Sequence, residues 1–327
     1  MKLLAAVLGL LVCCGLPALA RAQEFFPVKN ENPMLRGIYL PLPGDARRAD
    51  PAALSLTLSA ENTINVEDRA GEHLFVDGEA TTLRVAFDAP LGADGRYRLS
   101  LPVTRDSGGI LDRSIERWHG WFGLPRGQRP YYPRNQLDYS YAGNPSNPSR
   151  VVQVDQAHTG IGDLALELGW FARDDASQTF SVWGGVEAPT GSAAHLTGNG
   201  AWDASLWARA EKRYARWHFG AEAGVVQAFG DDVFGGAARR NSAFVRGAAT
   251  WIAGPRWSWR LQLEGQTARL KDTELRFLGP ALVLSAGADI ALNRQWRLQL
   301  GLSEDAAVNT APDVTFFLGL RRAARLR

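Results

Sequence analysis

The side chains in this sequence that could do chemistry are arginines, carboxylates and a few histidines, and the charged ones are spaced like strand residues. Arg84, Arg98, Arg209, Arg246, Arg260 and Arg297 each sit between apolar or small neighbours, as do Glu167, Glu222 and Glu264. Asp88, Glu187, Glu211, Asp289, Gln262, Gln299 and His218 fall in the same register. If the alternate, apolar register faces lipid, these side chains line an interior. Two readings of that interior stand side by side. One is a polar conduit for a small solute. The other is a ladder of cross-strand ion pairs that fills a narrow space, because like charges cannot line a small lumen cheaply. Both signs occur in similar number, so no single-sign ring points to ion selection.

The five histidines, His73, His119, His158, His195 and His218, include no pair at zinc-helix spacing and no cysteine beside them. A lipid-acting hydrolase would need a Ser–His pair on an outer wall. His218 instead shares the interior register with Glu222, and no strand serine pairs with it. Gly127 and its neighbours lack the strand-to-helix context of a phosphate loop, and the Gly198–Gly200 cluster reads as an extracellular loop tip. No catalytic residue, metal or cofactor is expected.

The elements that must carry these residues are amphipathic strands. From residue 54 the dominant signal is period-two alternation in segments of roughly ten residues. Trp257, Trp259, Leu261 and Leu263 interleave with Ser258, Arg260, Gln262 and Glu264. Connections alternate in length: Pro90–Gly95, Arg173–Ser177, Arg213–Arg216, Ala253–Arg256 and Asn293–Gln295 are short, whereas 66–79, 104–161, 189–201, 229–241, 268–278 and 304–313 are long. Short turns at one end and long loops at the other describe an up-and-down antiparallel transmembrane β-barrel of about 12 strands over 54–321.

The large rings agree. Tyr97, Trp217, Trp257 and Trp296 follow short turns, Trp170 and Trp251 precede them, and all six belong to the apolar register. Such a ring of aromatics reads as a girdle at headgroup level. Two stretches break the pattern. Residues 23–53 are proline-rich and irregular, and are expected as a periplasmic leader or a strap entering the barrel. Within 104–161, an extracellular or plug loop, Leu111, Ile115, Trp118 and Phe122 recur at helical spacing and predict a short helix, either a cap or plug of the pore or an amphipathic turn lying on neighbouring loops.

Composition sets the compartment. Apolar residues make up 46% of the 327, yet mean hydropathy is only −0.18. The one apolar run, Leu3–Leu16 after Met1-Lys2, is too short to span and precedes a small-x-small site at Ala20-Arg21-Ala22. Residues 1–22 are therefore expected to be a signal peptide. Both cysteines, Cys13 and Cys14, lie inside it, which leaves an exported chain without disulfides. A net charge of +2, with the basic residues dispersed to a tail at 322–327, gives no reason to expect nucleic acid.

Phe25-Phe26-Pro27-Val28-Lys29-Asn30-Glu31-Asn32-Pro33-Met34, the loop Gly108-Gly109-Ile110-Leu111-Asp112, Trp118-His119 and Phe122-Gly123-Leu124-Pro125 resemble a bacterial outer-membrane β-barrel family of unknown function, the domain-of-unknown-function 3187 family. The resemblance implies the Gram-negative outer membrane and transfers no catalytic residue. The expected partners are outer-membrane lipids, the assembly machinery and a small polar solute. The expected role is a small-solute channel, open or plugged, with a non-conducting structural barrel as the alternative and a lipid-modifying enzyme behind it.

Overall fold

The computed structural model describes residues 25–43, 47–123, 128–143, 152–230, 233–307 and 310–324. The expected signal peptide and residues 325–327 of the basic tail lie outside them. Twelve long strands form the wall: β1 (Ala53–Arg69), β2 (Glu72–Leu91), β3 (Gly95–Ser107), β7 (Leu164–Asp174), β8 (Gln178–Ala188), β9 (Asp203–Tyr214), β10 (Trp217–Ala228), β11 (Asn241–Ile252), β12 (Trp257–Gln266), β13 (Ala281–Ala291), β14 (Trp296–Asp305) and β15 (Val314–Ala323). Each pairs antiparallel with its neighbour in sequence, and β15 pairs with β1 from Ala53↔Ala323 to Asn62↔Val314. The sheet is therefore a closed transmembrane barrel with no free edge at membrane depth, which is what a strand-built span requires. Leu56, Leu83, Val85, Leu261 and Leu318 are exposed on the outside, while the alternate register is buried.

The short turns expected from sequence join β2–β3, β7–β8, β9–β10, β11–β12 and β13–β14. The long-loop end differs in two places. The stretch expected as a loop at 66–79 is continuous strand: β1 and β2 stay paired to Arg69↔Glu72 and turn on Ala70 and Gly71, with φ of 50° and 82°. Two successive residues at positive φ suit the right-handed twist of a hairpin. The loop 104–161 is also less irregular than its prolines suggest. It contains helix α1 (Asp112–Phe122) and three short strands. Of these, β4 (Asp138–Ala142) lies on the extended part of β2, β5 (Val152–Val154) lies on β4, and β6 (His158–Ile161) lies on the upper part of β3.

Around this projecting hairpin the loops build an apolar lid. Leu74, Val76, Tyr139, Tyr141, Phe234, Leu270 and Phe277 pack there with Met34 and Leu35. At the opposite end Arg322 belongs to β15, not to a tail, and its guanidinium lies 5.4 Å from the Trp296 ring.

Candidate functional site: the occupied lumen

Cross-strand neighbours in an antiparallel wall stand directly opposite one another, so the inward charges meet in rows. One row crosses four strands, with Arg209 opposite Glu222, Glu222 opposite Arg246 and Arg246 opposite Glu264. Arg246 Nη1 reaches Glu222 at 3.1 Å, its Nε donates to Glu264, and Arg209 also pairs with Glu211. Elsewhere Arg98 reaches Glu167 at 3.0 Å and Arg297 reaches Asp289 at 3.0 Å. Arg84, Arg98, Glu167, Arg209, Glu222, Arg246, Arg260 and Glu264 are all buried in the interior, and Arg297, nearest the short-turn end, is partly so.

Their burial has a cause: of the two places expected for the leader, beneath the barrel or entering it, the structure shows the second. The leader does not hang beneath the barrel. It rises through the lumen, turns at the lid, and descends to the short-turn end before β1 begins. On the way up, the Phe26 amide donates to Gln262 Oε1 at 2.8 Å and the Asn30 amide to Glu264 Oε1 at 2.8 Å. Glu31 accepts from Arg84 at 3.2 Å. At the top, Asn32 Nδ2 donates to the Phe277 carbonyl at 2.8 Å, and Arg36 holds Asp106 with contacts of 2.8 and 3.2 Å. On the way down, Tyr39 Oη donates to Glu167 at 3.2 Å, and the Pro41 and Leu42 carbonyls accept from Arg246 and Arg98. Near the exit Arg47 meets Asp174 at 2.9 Å, and Arg96 donates to the carbonyls of Arg47, Arg48 and Asp50. A proline-rich segment suits this route, because an extended chain without a ladder of its own leaves its amides and carbonyls for the wall.

The leader rings are seated in notches. Arg260 lies over Phe26 at 4.5 Å and Arg209 over Phe25 at 5.1 Å, while Phe26 also tilts against inward-facing Phe317 at 4.8 Å. Gly287 stands opposite Gly301, and a Cβ on Gly287 would lie 2.2 Å from the Leu300 carbonyl oxygen and 3.0 Å from Phe26. At Gly185 a Cβ would lie 2.3 Å from Tyr39 Oη. Glycines at these positions leave room for two rings of the leader. Trp183 and Trp207 also face inward, stacked at 5.9 Å, and form an apolar patch with Tyr39, Leu40, Val226 and Phe244. The interior is therefore polar along much of its wall and aromatic along one side. The aromatic side could have been read from parity, since Trp207 is two residues from Arg209 and Trp183 is four from Glu187.

Three of the spaces left between leader and wall have free volumes of about 10, 20 and 40 Å³. Each holds one to a few waters at most. Among the described residues no group of three or more His, Cys, Asp or Glu side chains is placed to hold a metal.

The girdle residues Trp170, Trp217, Trp251 and Trp257 are exposed on the outer wall at the short-turn end, with Tyr97 and Trp296 partly covered. Helix α1, expected as a cap or plug, lies elsewhere. Asp112 accepts from Asn62 Nδ2 at 2.9 Å, and the Ile110 amide donates to Glu79 at 2.9 Å. Asn62 and Glu79 stand opposite each other in the outward register of β1 and β2. The helix is thus anchored on the outside of the hairpin. Its Ile115 is buried and Leu111 partly so, while the side chains of Trp118 and Phe122 lie outside the description.

Residues 5–323 match the profile of a family described as a protein of unknown function, DUF3187. None of the curated proteins matches the chain. Among solved structures it is similar to the COG4313 outer membrane channel from Pseudomonas putida F1, with 16% identity, a TM-score of 0.57 and coverage of 86% of this chain and 99% of that one. It is more distantly similar to the NanC porin, at 8% identity and a TM-score of 0.49, covering 84% of this chain and 100% of the porin. A third similarity is to the toluene transporter TbuX of Ralstonia pickettii, at 11% identity and a TM-score of 0.41, covering 95% of this chain and 99% of that one. At these identities the likeness is one of fold.

Proposed function

We propose that this chain, which belongs to the DUF3187 family, is an outer-membrane channel for small polar solutes whose own leader closes the lumen. The observation that carries the reading is the leader's path up and down the interior, bonded to the wall through side chains at every level. A barrel that served only as a wall or anchor could fill its lumen with wall side chains alone. Here the filling is a segment separate from the strands, and it joins the wall at Ala53. It can in principle move without breaking a strand pairing. The paired charges it covers would line a conduit of mixed sign once it moved. The P. putida protein of similar fold is an outer membrane channel, which supports this reading.

The test is single-channel conductance in planar bilayers. A variant carrying Phe26→Ala, Arg36→Ala and Tyr39→Ala, which removes three anchors of the leader, is expected to conduct more than the parent. Deleting 109–135 removes the outer helix and should leave conductance unchanged. Parent-like conductance in the triple variant, with the barrel still folded, would exclude the leader as the closing element. Silence in every variant would favour a structural barrel, a reading supported by the ion-pair row from Arg209 to Glu264.

A further inference from the structure

Helix α1 presents two faces. Asp112 and Ile115 are buried against the hairpin, whereas Arg113, Arg117 and Trp121 are exposed. Positions 113, 117 and 121 recur every four residues and so form one stripe, on the side opposite 112 and 115. Among the described residues Arg113 and Arg117 enter no ion pair. The flanking segments add two more exposed apolar side chains. Ile110 is 81% exposed and Tyr131 83%, beside Trp121 at 78%. Three large apolar groups this open are costly in bulk water and need a reason.

Their position supplies one. The described residues of this clasp, 108–123 and 128–135, are fastened to the outward face of the projecting hairpin. Asp112 holds Asn62 and the Asn135 amide, Gln128 brackets the backbone of Val66, and Tyr132 meets Phe75 edge-on at 5.2 Å. Arg129 binds Asp112, Asn62 and Asp313, which ties the clasp to the neighbouring loop as well. Directly below, the lipid-facing belt begins. Ala60 stands opposite exposed Phe316, and Leu58 stands opposite exposed Leu83 and Leu318. Asn62 is two residues above Ala60, about 7 Å along the strand. The arginine–tryptophan stripe therefore sits at the upper rim of the apolar belt, on its outer side, where a bilayer places its headgroups.

From this placement we infer that the outer face of α1 docks on phosphate-bearing lipid headgroups of the surrounding leaflet. Guanidinium groups recognise phosphate by paired, charge-assisted hydrogen bonds. Tryptophan and tyrosine prefer the boundary between hydrocarbon and water. The surface is continuous with the lipid-facing wall, and its unpaired charge is positive. The inference stands on the barrel alone and does not depend on whether the lumen conducts.

Native mass spectrometry of the purified full chain, titrated with diphosphorylated lipid A or its dephosphorylated counterpart, tests this docking. The wild type should retain the diphosphorylated form at least fivefold better than the dephosphorylated one. Arg113→Gln with Arg117→Gln should abolish that preference, and Trp121→Ser should weaken retention of both forms. Arg134→Gln is the control, because Arg134 is already engaged by Glu116, and it should behave as wild type. These side chains are exposed, so the variants should fold, which a heat-dependent gel shift verifies. Equal retention of the two lipids by the wild type, or an unchanged preference in the double arginine variant, would overturn the proposal.

Discussion

Arg246 shows how tightly one interior residue binds two structures together. It is fully buried, it touches Glu222 and Glu264 on neighbouring strands, and it donates to the leader at the Pro41 carbonyl at 2.7 Å. Replacing it with leucine leaves the buried Glu222 and Glu264 carboxylates without the guanidinium they share. Removing one partner of a buried pair typically costs about 3–5 kcal/mol. Arg246→Leu should lower the temperature at which the folded barrel loses its fast gel mobility. Leu261, on the outward register of β12, tests the opposite face. Leu261→Arg places a charge among lipid tails and should cost roughly 2–4 kcal/mol if it lies near the midplane. A tolerated Leu261→Arg beside a damaging Gln262→Leu would mean that the register is shifted by one residue. This alternation was legible in the sequence because period two survives wherever one face meets lipid and the other does not. The glycines opposite Phe26 and Tyr39 were not legible, since a missing side chain says nothing of the ring it admits.

At the scale of elements, β6 and the tip of the leader are joined through one carboxylate. Asp106 on β3 receives Arg36 from the leader on one side and His158 from β6 on the other, with the His158 Nε2 contact at 3.3 Å. Glu61 lies near Arg36 at 3.6 Å, and His195 stacks on His158 at 4.8 Å. The hydrogen bond to Asp106 raises the His158 pKa above the usual histidine range. A raised histidine contributes stability that is complete below its unfolded pKa of about 6.5 and is lost as pH rises through the folded value. Amide exchange in 158–161, corrected for intrinsic rates, should therefore speed up as pH rises from the acid side of that window to its alkaline side. His158→Gln should flatten the dependence, and an identical pH profile in the variant would show that another group governs it. The sequence offered little warning of this junction. It lies in loops, where neither period two nor helical spacing operates, and the long β1–β2 hairpin was hidden because an Ala-Gly turn is weaker punctuation than Asn-Gly. A strap entering the barrel was one of two readings of the leader, but its path was opaque for the same reason: its order comes from the wall around it and not from any repeat of its own.

For the molecule as a whole, the path of the leader dictates a chronology. The amides of Phe26 and Asn30 bind side chains 236 and 234 residues further along the chain, and Phe26 rests on Phe317 of the strand that closes the barrel. The part of the chain made first has no complete seat until the part made last is in place. Contacts this distant in sequence form late, since the loop must be closed before they repay its entropy. A closed barrel would then have to be threaded from one end, whereas a barrel that curls around the waiting segment needs no threading. In the second case the leader acts as a mandrel, and its inward arginine and carboxylate partners measure the circumference. Refolding into detergent micelles distinguishes the two. A chain lacking 25–43 should close more slowly than the parent, or stop as an open sheet, if the wall is wound on the leader. It should close at the parental rate if the leader is inserted afterwards. The same segment that fills the finished lumen would, in the first case, be what gives the barrel its circumference.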